Sequence, residues 1–484
     1  MTQNPLKILL VASEVVPFAK TGGLADVAGA LPKALSRRGH EVRIIMPRYK
    51  IIDEKKFRLN KKFDLPGGGS LKETLMPGTS IPVYFTDNDK YFGRWGFYGE
   101  EGEDYPDNGE RFTWFNKAVV ASLPKLGWKP DCIHCNDWQS GLIPLLVKQS
   151  SDPEVKSIAT LMTVHNIAYQ GFFKKELIDF IGFPKELYTP EGLEYWGGFS
   201  FLKAGLLYGD LLSTVSERYA FEIKNSAEYG RGMEGVLQNR QKDLFGIVNG
   251  VDYEEWDPLT DKYLSLNYGP DTVEKKFANK RALLKELKMV SNENVPLLAM
   301  VSRLDDQKGL DLVLGAIEGL LKLKLQLVLL GIGDRKYYPL LETLAKQHPA
   351  KLSVNLNFND PLGHEIYAGA DIFLMPSKFE PCGLGQLVAF KYGTIPVVRA
   401  TGGLYDTVLK FDGKSEEGNG FVFEDYTPEA FLEAVRQAVF VFTEKKNWKK
   451  LMQNAMSADF SWESSARKYE QLYGRALKRK ELKP

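Results

Sequence analysis

Short apolar runs alternate with amphipathic stretches in the first half of the chain, a pattern typical of strands and helices that build parallel sheets. Residues 24–38 place Leu24, Val27, Ala28 and Leu35 on one helical face, which predicts an amphipathic helix. The apolar runs predict strands at 7–16, 41–46, 131–134, 159–164 and 211–215.

A second alternation follows in the other half. A charged segment at 271–288 predicts a surface helix. Strands are predicted after it at 296–301, 326–330, 352–356, 372–375, 395–398 and 421–423. Near the end, Ser461 is suited to cap a helix. That helix carries an apolar stripe of Trp462, Ala466, Tyr469, Leu472, Tyr473 and Ala476.

Two interruptions suggest how the chain divides. Residues 50–110 break the alternation with Gly-rich, aromatic and acidic stretches, so we interpret them as a long insertion near the ligand cleft. A last strand and turn at 245–252 predict a domain boundary. We therefore predict an α/β protein of two Rossmann-like domains and a final helix that returns to the first, with bounds 1–248, 249–456 and 457–484.

Composition narrows the possible functions. The chain has 484 residues, 44% of them hydrophobic and 26% charged, with a net charge of +1. A net charge this small gives no overall electrostatic potential that would attract nucleic acid or an anionic membrane. The three cysteines do not suggest a disulfide framework, and no apolar run reaches the roughly 20 residues of a membrane span. We expect a cytoplasmic protein without nucleic-acid or membrane partners.

Two turns of the form Thr-Gly-Gly-Leu follow predicted strands, one at Thr21–Leu24 and one at Thr401–Leu404. Glycine lets backbone amides approach a phosphate closely, and a helix N-terminus adds partial positive charge. A tight turn is the alternative for either one alone. Because the turn occurs in both halves, we expect one nucleotide-linked ligand to lie between two domains.

Charged residues of the second half follow strand ends, where ligands bind in open α/β sheets. Arg303 and Lys308 could both reach a diphosphate, or could be solvated charges. Glu380 stands beside Pro381 in a strand-to-helix turn, where a carboxylate could bind sugar hydroxyls or cap the following helix. The Gly331-x-Gly333 sequence is a weak signal by itself.

In the first half, His165 ends a strand and Asp137 follows another. Each could contact a substrate, or could be structural, as a core histidine or a helix cap. The sequence lacks the P-loop, the dinucleotide fingerprint, the nucleophile elbow and any cluster with metal-ligand spacing. The Cys132-x-x-Cys135 pair is interpreted as part of a strand.

These motifs occur together in one order that closely resembles bacterial glycogen synthases and plant starch synthases. The resemblance runs from about residue 7 to about residue 475. The matching motifs are Lys20-Thr-Gly-Gly-Leu-Ala-Asp26, His165-Asn166, Asn249-Gly-Val-Asp252, Ser302-Arg303-Leu304 with Lys308-Gly309, Phe379-Glu-Pro-Cys-Gly-Leu384 and Arg399-Ala-Thr-Gly-Gly-Leu404.

The resemblance implies a GT-B fold, in which an acceptor-side domain and a nucleotide-sugar domain face each other across a cleft and the C-terminal helix crosses back. It also implies retaining transfer of glucose from ADP-glucose to the non-reducing end of an α-1,4-glucan such as glycogen. Relatives require no cofactor or metal, since basic residues and amides stabilise the leaving diphosphate.

Site roles follow from the resemblance, position by position. Arg303, Lys308, Glu380 and His165 correspond to the catalytic group. On the glucose or acceptor side we expect Asp137, Asn249 and Tyr98. The donor would be bound by Lys20, Gly22, Gly23, Phe358, Cys382, Gly383, Leu384, Thr401, Gly402, Gly403 and Leu404.

The sequence departs from the wider pattern at two positions. Many GT-B enzymes carry a second glutamate eight residues after the first, but here that position is Val388. Phe358 stands where relatives often have a tyrosine stacked on adenine, which keeps the stacking and loses a hydroxyl. Two alternatives stay open: another GT-B transferase that uses UDP-glucose or makes trehalose or sucrose, and a noncatalytic α-glucan-binding protein.

Overall fold

The computed structural model describes residues 5–100 and 102–482. One compact unit comprises the chain up to Val248 together with the segment from Trp462 onward, and the other is Asn249–Ser461. The return to the first unit begins at Trp462 rather than at 457, because Val251 N donates a hydrogen bond to Phe460 O (2.8 Å) and holds the preceding residues in the second unit.

The first unit is built on a mostly parallel sheet with the order β14-β13-β9-β8-β1-β2-β5-β4-β3. A small sheet has the order β10-β12-β11, and β6 pairs with β7. The strands are β1 (Lys7–Val11), β2 (Glu41–Pro47), β3 (Asn60–Asp64), β4 (Ser70–Leu75), β5 (Pro82–Asp87), β6 (Gly99–Glu100), β7 (Glu103–Asp104), β8 (Cys132–Asn136), β9 (Ala159–Val164), β10 (Phe172–Lys174), β11 (Glu194–Tyr195), β12 (Gly198–Ser200), β13 (Leu211–Thr214) and β14 (Leu244–Gly246).

The structure corrects the interpretation of residues 50–110. They are not an insertion outside the sheet, since β5 extends it in parallel and β4 and β3 continue it antiparallel. Lys61 in β3 pairs with Lys72 in β4, and Lys62 forms an ion pair with Glu73 at 2.8 Å, at a sheet edge where charged side chains are normal. Because these charged residues interrupt the apolar pattern, a search for apolar runs did not predict β3 and β4.

β1 is also shorter than predicted, because the chain turns after Val11. Val15 pairs with Ala19 in a tight loop, and Val16 N donates to Ala25 O (3.1 Å) at the start of the next helix. The loop therefore brings residues 13–22 to the carboxyl end of the sheet.

The first-unit helices pack on this sheet, and the final helix is one of them. Arg37 Nε lies 2.6 Å from Glu463 Oε1, and Tyr473 OH lies 2.8 Å from His134 Nδ1. Every apolar residue of the predicted stripe in the final helix is buried. The helices are Gly23–Arg37, Asp89–Phe92, Asn108–Ser122, Ile143–Lys148, Pro153–Lys156, Leu177–Ile181, Phe201–Tyr208, Glu217–Asn225, Ala227–Gly230, Glu234–Asn239 and Trp462–Glu481.

The second unit has a wholly parallel sheet with the order β17-β16-β15-β18-β19-β20. Its strands are β15 (Leu297–Val301), β16 (Gln326–Leu330), β17 (Leu352–Asn355), β18 (Ile372–Met375), β19 (Ile395–Arg399) and β20 (Phe421–Phe423). The central ones are buried on both faces and therefore appear in the sequence as continuous apolar runs.

Helices flank this sheet: Lys276–Glu286, Leu310–Gly315, Ile317–Lys322, Tyr338–Gln347, Asp360–Gly369, Gly385–Lys391, Gly402–Thr407, Pro428–Thr443 and Lys445–Ser457. The prediction of a surface helix at 271–288 is wrong in part, because Lys276 and Lys280 are buried in it. Lys280 pairs with Asp371 at 2.6 Å. Of the helices within residues 5–100 and 102–482, none has the length and apolar character needed to cross a membrane.

Candidate active site

Two strand ends of the second unit carry its predicted catalytic residues. β15 and β18 are neighbours in the sheet, while β16, the strand that follows β15 in sequence, lies on the other side of β15. In open α/β sheets, ligands bind beyond the carboxyl ends of the strands at such a switch point. Arg303 and Lys308 follow β15, and Glu380 follows β18.

Gly309 lets the loop after β15 approach the end of β18. Its φ is +76°, and a Cβ atom there would lie 2.1 Å from Pro376 O. Only glycine fits this position without displacing backbone. Asp305 holds the preceding turn, since its Oδ1 accepts a hydrogen bond from Lys308 N at 3.0 Å.

Lys308 and Glu380 form a partly buried ion pair. Lys308 Nζ lies 2.7 Å from Glu380 Oε2, which also accepts a hydrogen bond from Ser377 Oγ at 3.1 Å. Glu380 is only 5% exposed. A carboxylate this buried needs a counter-charge, and Lys308 supplies it.

Arg303 is more open than its neighbour. Its side chain is 51% exposed and lies 3.3 Å from Asp305 Oδ2 and 3.1 Å from Gln307 Oε1. A planar guanidinium with several donors can bind phosphate oxygens in a bidentate way while keeping weak surface contacts.

The turn after Glu380 is set by Gly383, whose φ is +75°. Gln386 Nε2 donates to Cys382 O (3.1 Å) and Gly383 O (3.0 Å), so these carbonyls are fixed from within the unit. Burial raises the pKa of the Cys382 thiol to about 12. The thiol therefore stays protonated at neutral pH and is not an activated nucleophile.

The second Gly-Gly turn packs directly on this segment. A Cβ atom on Gly402 would lie 1.9 Å from Glu380 O, and one on Gly403 would lie 2.0 Å from Cys382 O. Gly403 N donates to Glu380 O at 3.1 Å. Both glycines of Thr401–Leu404 thus serve close packing that fixes the Glu380 turn, which is the tight-turn alternative left open by the sequence.

Two predicted residues of this unit differ in their surroundings. Asn249 is buried, lies against the Cys382 thiol through its backbone N–H, and has a side-chain oxygen without a hydrogen-bond partner among the described residues. Phe358 follows the edge strand β17 and is 81% exposed. Phe358 is therefore outside the cluster around Glu380.

Gly331 and Gly333 have a structural role. A Cβ atom on Gly331 would lie 1.8 Å from Ser302 O, and one on Gly333 would lie 2.2 Å from Leu304 O. Leu304 and Gly333 form an isolated bridge. These glycines allow the loops after β15 and β16 to pack together.

The first unit has its own polar cluster at an equivalent position. β1 lies between β2, the next strand in sequence, and β8, so β1 and β8 mark the switch point of this sheet. The loop after β1 carries Glu14, Lys20, Gly22 and Gly23, and Asp137 follows β8. His165 follows the next strand, β9.

Glu14 organises the first Gly-Gly turn, and the sequence prediction missed it. Its buried carboxylate accepts hydrogen bonds from Thr21 N, from Thr21 Oγ1 at 2.6 Å and from Gly22 N at 3.2 Å. Tyr98 OH donates to the same group at 2.6 Å. The amide of Gly22 that was expected to meet a phosphate therefore binds a carboxylate here.

Lys20 extends from the same turn toward solvent. Its ammonium lies 2.7 Å from Asp26 Oδ1, and half of the side chain is exposed. Gly23 begins the 15-residue helix Gly23–Arg37. An exposed ion pair contributes little to stability, so Lys20 can exchange Asp26 for another anion at small cost.

His165 is held in one tautomer by Asn136, a second residue that the prediction missed. Asn136 Nδ2 donates to Val11 O and His134 O, so its Oδ1 faces His165 Nε2 at 2.9 Å and accepts a hydrogen bond from the Nε2–H group. Burial lowers the pKa of His165 to about 4. The ring is therefore neutral near pH 7, with a proton on Nε2.

Asp137 is the most strained member of this cluster. Its φ is +54°, an uncommon value for a residue with a side chain. Its Oδ1 accepts a hydrogen bond from His165 N at 2.7 Å. Burial raises the pKa of its carboxyl to about 7, and the nearby Glu14 charge adds to this shift, while the amides of His165 and Asn166 oppose it.

The residues that the prediction missed gave only weak signals in the sequence. Glu14 interrupts an otherwise apolar run, and a charge next to a strand end in an α/β protein is a reason to look for a site. Asn136 and Ser377 follow or end strands in the same way. Their partners lie far away in sequence, so only the fold reveals the contacts.

Two family models match separate parts of the chain. The starch synthase catalytic domain matches residues 7–239, and glycosyl transferases group 1 matches residues 285–454. Among curated proteins, the chain is similar to glycogen synthases from Geotalea daltonii and Moorella thermoacetica, each 47% identical. The alignment with the Geotalea protein covers 98% of this chain and 100% of that protein. The alignment with the Moorella protein covers 99% of this chain and 98% of that protein.

Solved structures of glycosyltransferases are also similar to this chain. The catalytic domain of starch synthase IV from Arabidopsis thaliana, solved with ADP and acarbose, has a TM-score of 0.89 at 33% identity and covers 98% of this chain and 100% of its own. A sucrose-phosphate synthase from Thermosynechococcus elongatus has a TM-score of 0.61 at 18% identity, covers 97% of this chain and 99% of its own, and shares the fold alone. The two α/β units thus have the GT-B glycosyltransferase fold, and the chain belongs to the family of bacterial glycogen synthases and plant starch synthases.

Proposed function

We propose that this chain transfers glucose from ADP-glucose to the non-reducing end of an α-1,4-glucan, with retention of configuration at the anomeric carbon. The observation that carries the proposal is the contact of Lys308 with the buried Glu380, next to the half-exposed Arg303, at the switch point of the second unit. This arrangement joins cations for a diphosphate with a carboxylate for sugar hydroxyls.

The leaving group of this reaction is a nucleoside diphosphate, whose charge grows as the sugar bond breaks. Arg303 and Lys308 would stabilise that charge in place of a divalent metal ion. Lys308 needs only a small movement to share its three donors between Glu380 and a phosphate oxygen, because the pair is joined at one carboxylate oxygen.

Glucose hydroxyls would bind to acceptors and donors around the Glu380 turn. Glu380 offers a carboxylate oxygen, Asn249 an amide oxygen without a partner among the described residues, and Cys382–Leu384 the backbone of the turn. Buried acceptors that lack a donor are costly, and a substrate hydroxyl would satisfy them.

The first-unit cluster would bind the transferred glucose and the acceptor. His165 is neutral near pH 7 and keeps Nδ1 as an acceptor, since its Nε2–H group donates a hydrogen bond to Asn136 Oδ1. His165 would therefore act as a hydrogen-bonding group rather than as a cation. We assign Asp137 and Tyr98 to the same side, and Lys20, Gly22 and Gly23 to the donor. The Gly22 amide would then have to exchange the Glu14 carboxylate for a phosphate oxygen.

The chemical step we propose is a front-side displacement. The acceptor O4 forms a bond to the anomeric carbon on the face from which the diphosphate leaves, and the O4 proton passes to the departing phosphate oxygen. The thiol of Cys382 is protonated and shielded by burial, so it is not suited to form a covalent intermediate.

Donor choice rests on two observations. The Arabidopsis relative was solved with ADP, which supports an adenine nucleotide for this chain as well. Phe358 is exposed and could stack on adenine, although it has no hydroxyl to select the base. We also assign Thr401, Gly402, Gly403 and Leu404 to donor binding, through the support they give to the Glu380 turn.

The deciding experiment compares nucleotide release from ADP-glucose and UDP-glucose, each with and without glycogen. We expect release of ADP that depends on glycogen, with α-linked glucose in the product by NMR. Release of UDP at a higher rate would favour another GT-B transferase. Binding of glycogen without any nucleotide release would favour a noncatalytic glucan-binding protein and overturn the proposal.

A further inference from the structure

A histidine and two carboxylates meet in the second unit, away from the proposed catalytic residues. Asp360 and His364 stand four residues apart in the helix Asp360–Gly369, so their side chains lie on one face. Glu255, more than 100 residues earlier in the chain, completes the group. One ligand atom from each residue lies within 4.8 Å of the other two.

The imidazole of His364 is fixed by its neighbours, and their contacts leave Nε2 as its available nitrogen. The residue is 1% exposed. Its Nδ1 lies 2.8 Å from Asp261 Oδ2, and its ring stacks on Trp256 with centroids 3.9 Å apart and planes 4° apart. Because the Asp261 carboxylate can only accept, Nδ1 donates to it, and Nε2 of a neutral imidazole is then left with a lone pair that a ligand can use.

The lack of a partner for His364 Nε2 is the feature that needs an explanation. Among the described residues, His364 Nε2 is a buried atom with no hydrogen-bond partner. A buried polar atom left without a partner costs free energy, and each such case in a folded protein requires an explanation. A cation that is bound by the Nε2 lone pair and by the two negatively charged carboxylates would provide that explanation.

We propose that His364 Nε2 and the carboxylates of Glu255 and Asp360 bind a divalent transition-metal ion of the Zn²⁺ class. One imidazole nitrogen with two carboxylates suits Zn²⁺, Co²⁺ or Mn²⁺ better than Mg²⁺ or Ca²⁺, which prefer oxygen ligands alone. Asp261 holds the far side of the imidazole, as carboxylates do behind metal-binding histidines.

The spacing is compatible with such an ion. Ligand atoms on a tetrahedral Zn²⁺ ion lie about 3.4 Å apart, since each bond is about 2.0–2.2 Å long and adjacent bonds meet near the tetrahedral angle. The ligand atoms of the group lie 4.8 Å or less apart, and rotation of the exposed Glu255 and Asp360 side chains would bring their oxygens closer, with Glu255 exchanging its present contact for the ion. The buried His364 sets the position of the ion, and solvent fills the remaining coordination.

The consequence would be a link between two segments of the second unit. Glu255 lies in the segment that follows Asn249, and Asp360 begins a helix two residues after Phe358. A bound ion would hold the start of this helix in place. The inference concerns metal binding alone and does not depend on the proposed transferase activity.

The test uses the full chain, stripped with a chelator, exposed to Zn²⁺ and desalted before its zinc is counted by mass spectrometry. We expect one zinc ion per wild-type chain. Substituting the exposed pair, Glu255→Gln with Asp360→Asn, should weaken binding by roughly 100-fold or more and leave the fold unchanged. Glu429→Gln, another exposed acid in a first helical turn, should retain wild-type zinc.

Cobalt provides a second readout that a structural defect alone would not mimic. Co²⁺ bound to nitrogen and oxygen ligands gives visible absorption bands, which should appear in the wild type and in Glu429→Gln and be lost in the double variant. A wild-type chain that retains no more zinc than the double variant, or that gives no cobalt bands, would overturn the proposal.

Discussion

Lys308 and Glu380 lie 72 residues apart in sequence, yet Lys308 Nζ is 2.7 Å from Glu380 Oε2. The contact joins the loops after β15 and β18, and Gly309 makes it possible by letting those loops approach. One cation therefore has two roles in our proposal. It neutralises a buried carboxylate, and it stabilises the leaving diphosphate.

Substituting either cation should reduce catalysis strongly. We expect Lys308→Ala and Arg303→Ala each to lower kcat/KM for ADP-glucose by roughly 10²–10³-fold, since both would face developing charge. Lys346→Ala, an exposed lysine of the same unit, should stay near the wild-type value. Losses below about tenfold, roughly 1.4 kcal/mol, would contradict the roles we give them.

The two catalytic variants should differ in stability. Removing Lys308 leaves Glu380 buried without its counter-charge, which costs about 3–5 kcal/mol when it is not relieved by protonation. Removing the half-exposed Arg303 should cost about 1 kcal/mol or less. Urea unfolding of both variants separates loss of catalysis from loss of folding.

Glu14 offers a test of the first unit. Glu14→Gln keeps the shape but replaces an acceptor oxygen with a donor that faces backbone and hydroxyl donors. We expect a loss of about 1–3 kcal/mol in the free energy of unfolding, with a lower kcat/KM, because the Lys20–Gly23 turn loses its anchor. The matched change Glu186→Gln is exposed and should shift stability by less than about 0.5 kcal/mol.

The sequence predicted buried parallel strands well and polar geometry poorly. The strands Ala159–Val164, Gln326–Leu330 and Ile372–Met375 have the predicted bounds, because burial on both faces leaves a largely apolar run. Phe421–Phe423 also has the predicted bounds, although it lies at the edge of its sheet. β3 and β4 escaped notice, since charged residues at a sheet edge obscure the pattern.

The motifs located the strand ends of the site, yet not the contacts there. Lys308 and Glu380 were both predicted, but their pairing is a property of the folded sheet. Glu14 and Asn136 belong to no motif that a single sequence reveals, and they decide how Gly22 and His165 are held. Contacts between residues distant in sequence require the tertiary structure.

A buried lysine shows the same limit and leads to a further prediction about stability. Lys276 Nζ donates to Tyr367 O (2.9 Å), Ala368 O (2.8 Å) and Thr394 Oγ1 (2.7 Å), although the sequence suggested a surface helix. Lys276→Met should lower the free energy of unfolding by roughly 2–4 kcal/mol, because those acceptors lose their donor.

The matched control is Lys285→Met on the same helix, which is exposed. We expect it to change stability by less than about 0.5 kcal/mol in the same urea titration. Equal effects of the two substitutions would mean that the network around Lys276 contributes nothing to folding.

The dependence of nucleotide release on metal ions gives another prediction. If Arg303 and Lys308 stabilise the leaving diphosphate, nucleotide release should proceed in EDTA within about twofold of the rate in Mg²⁺. The measurement is glycogen-dependent release of ADP in each buffer. Activity abolished by the chelator and restored by Mg²⁺ or Mn²⁺ would assign that stabilisation to a metal ion instead.

The buried carboxyl of Asp137 leads to a prediction about how the free energy of unfolding depends on pH. Burial raises the pKa of its carboxyl to about 7 in the folded state, above the ordinary value of 3.8. The folded protein therefore holds this proton where the unfolded chain has lost it. The protonated Asp137 carboxyl therefore contributes to the free energy of unfolding. This contribution is fully present below about pH 4 and is lost as the pH rises through 7, and the total loss is up to about 4 kcal/mol.

Asp137→Asn removes this titration. We expect the free energy of unfolding of the variant, relative to wild type, to rise between pH 5 and pH 8, because only the wild type must bury a charge at the higher pH. A constant difference from altered hydrogen bonding to His165 N does not affect that slope. Urea titrations of both proteins across this range provide the measurement, and parallel pH profiles would show that Asp137 ionises in the fold as readily as in the unfolded chain.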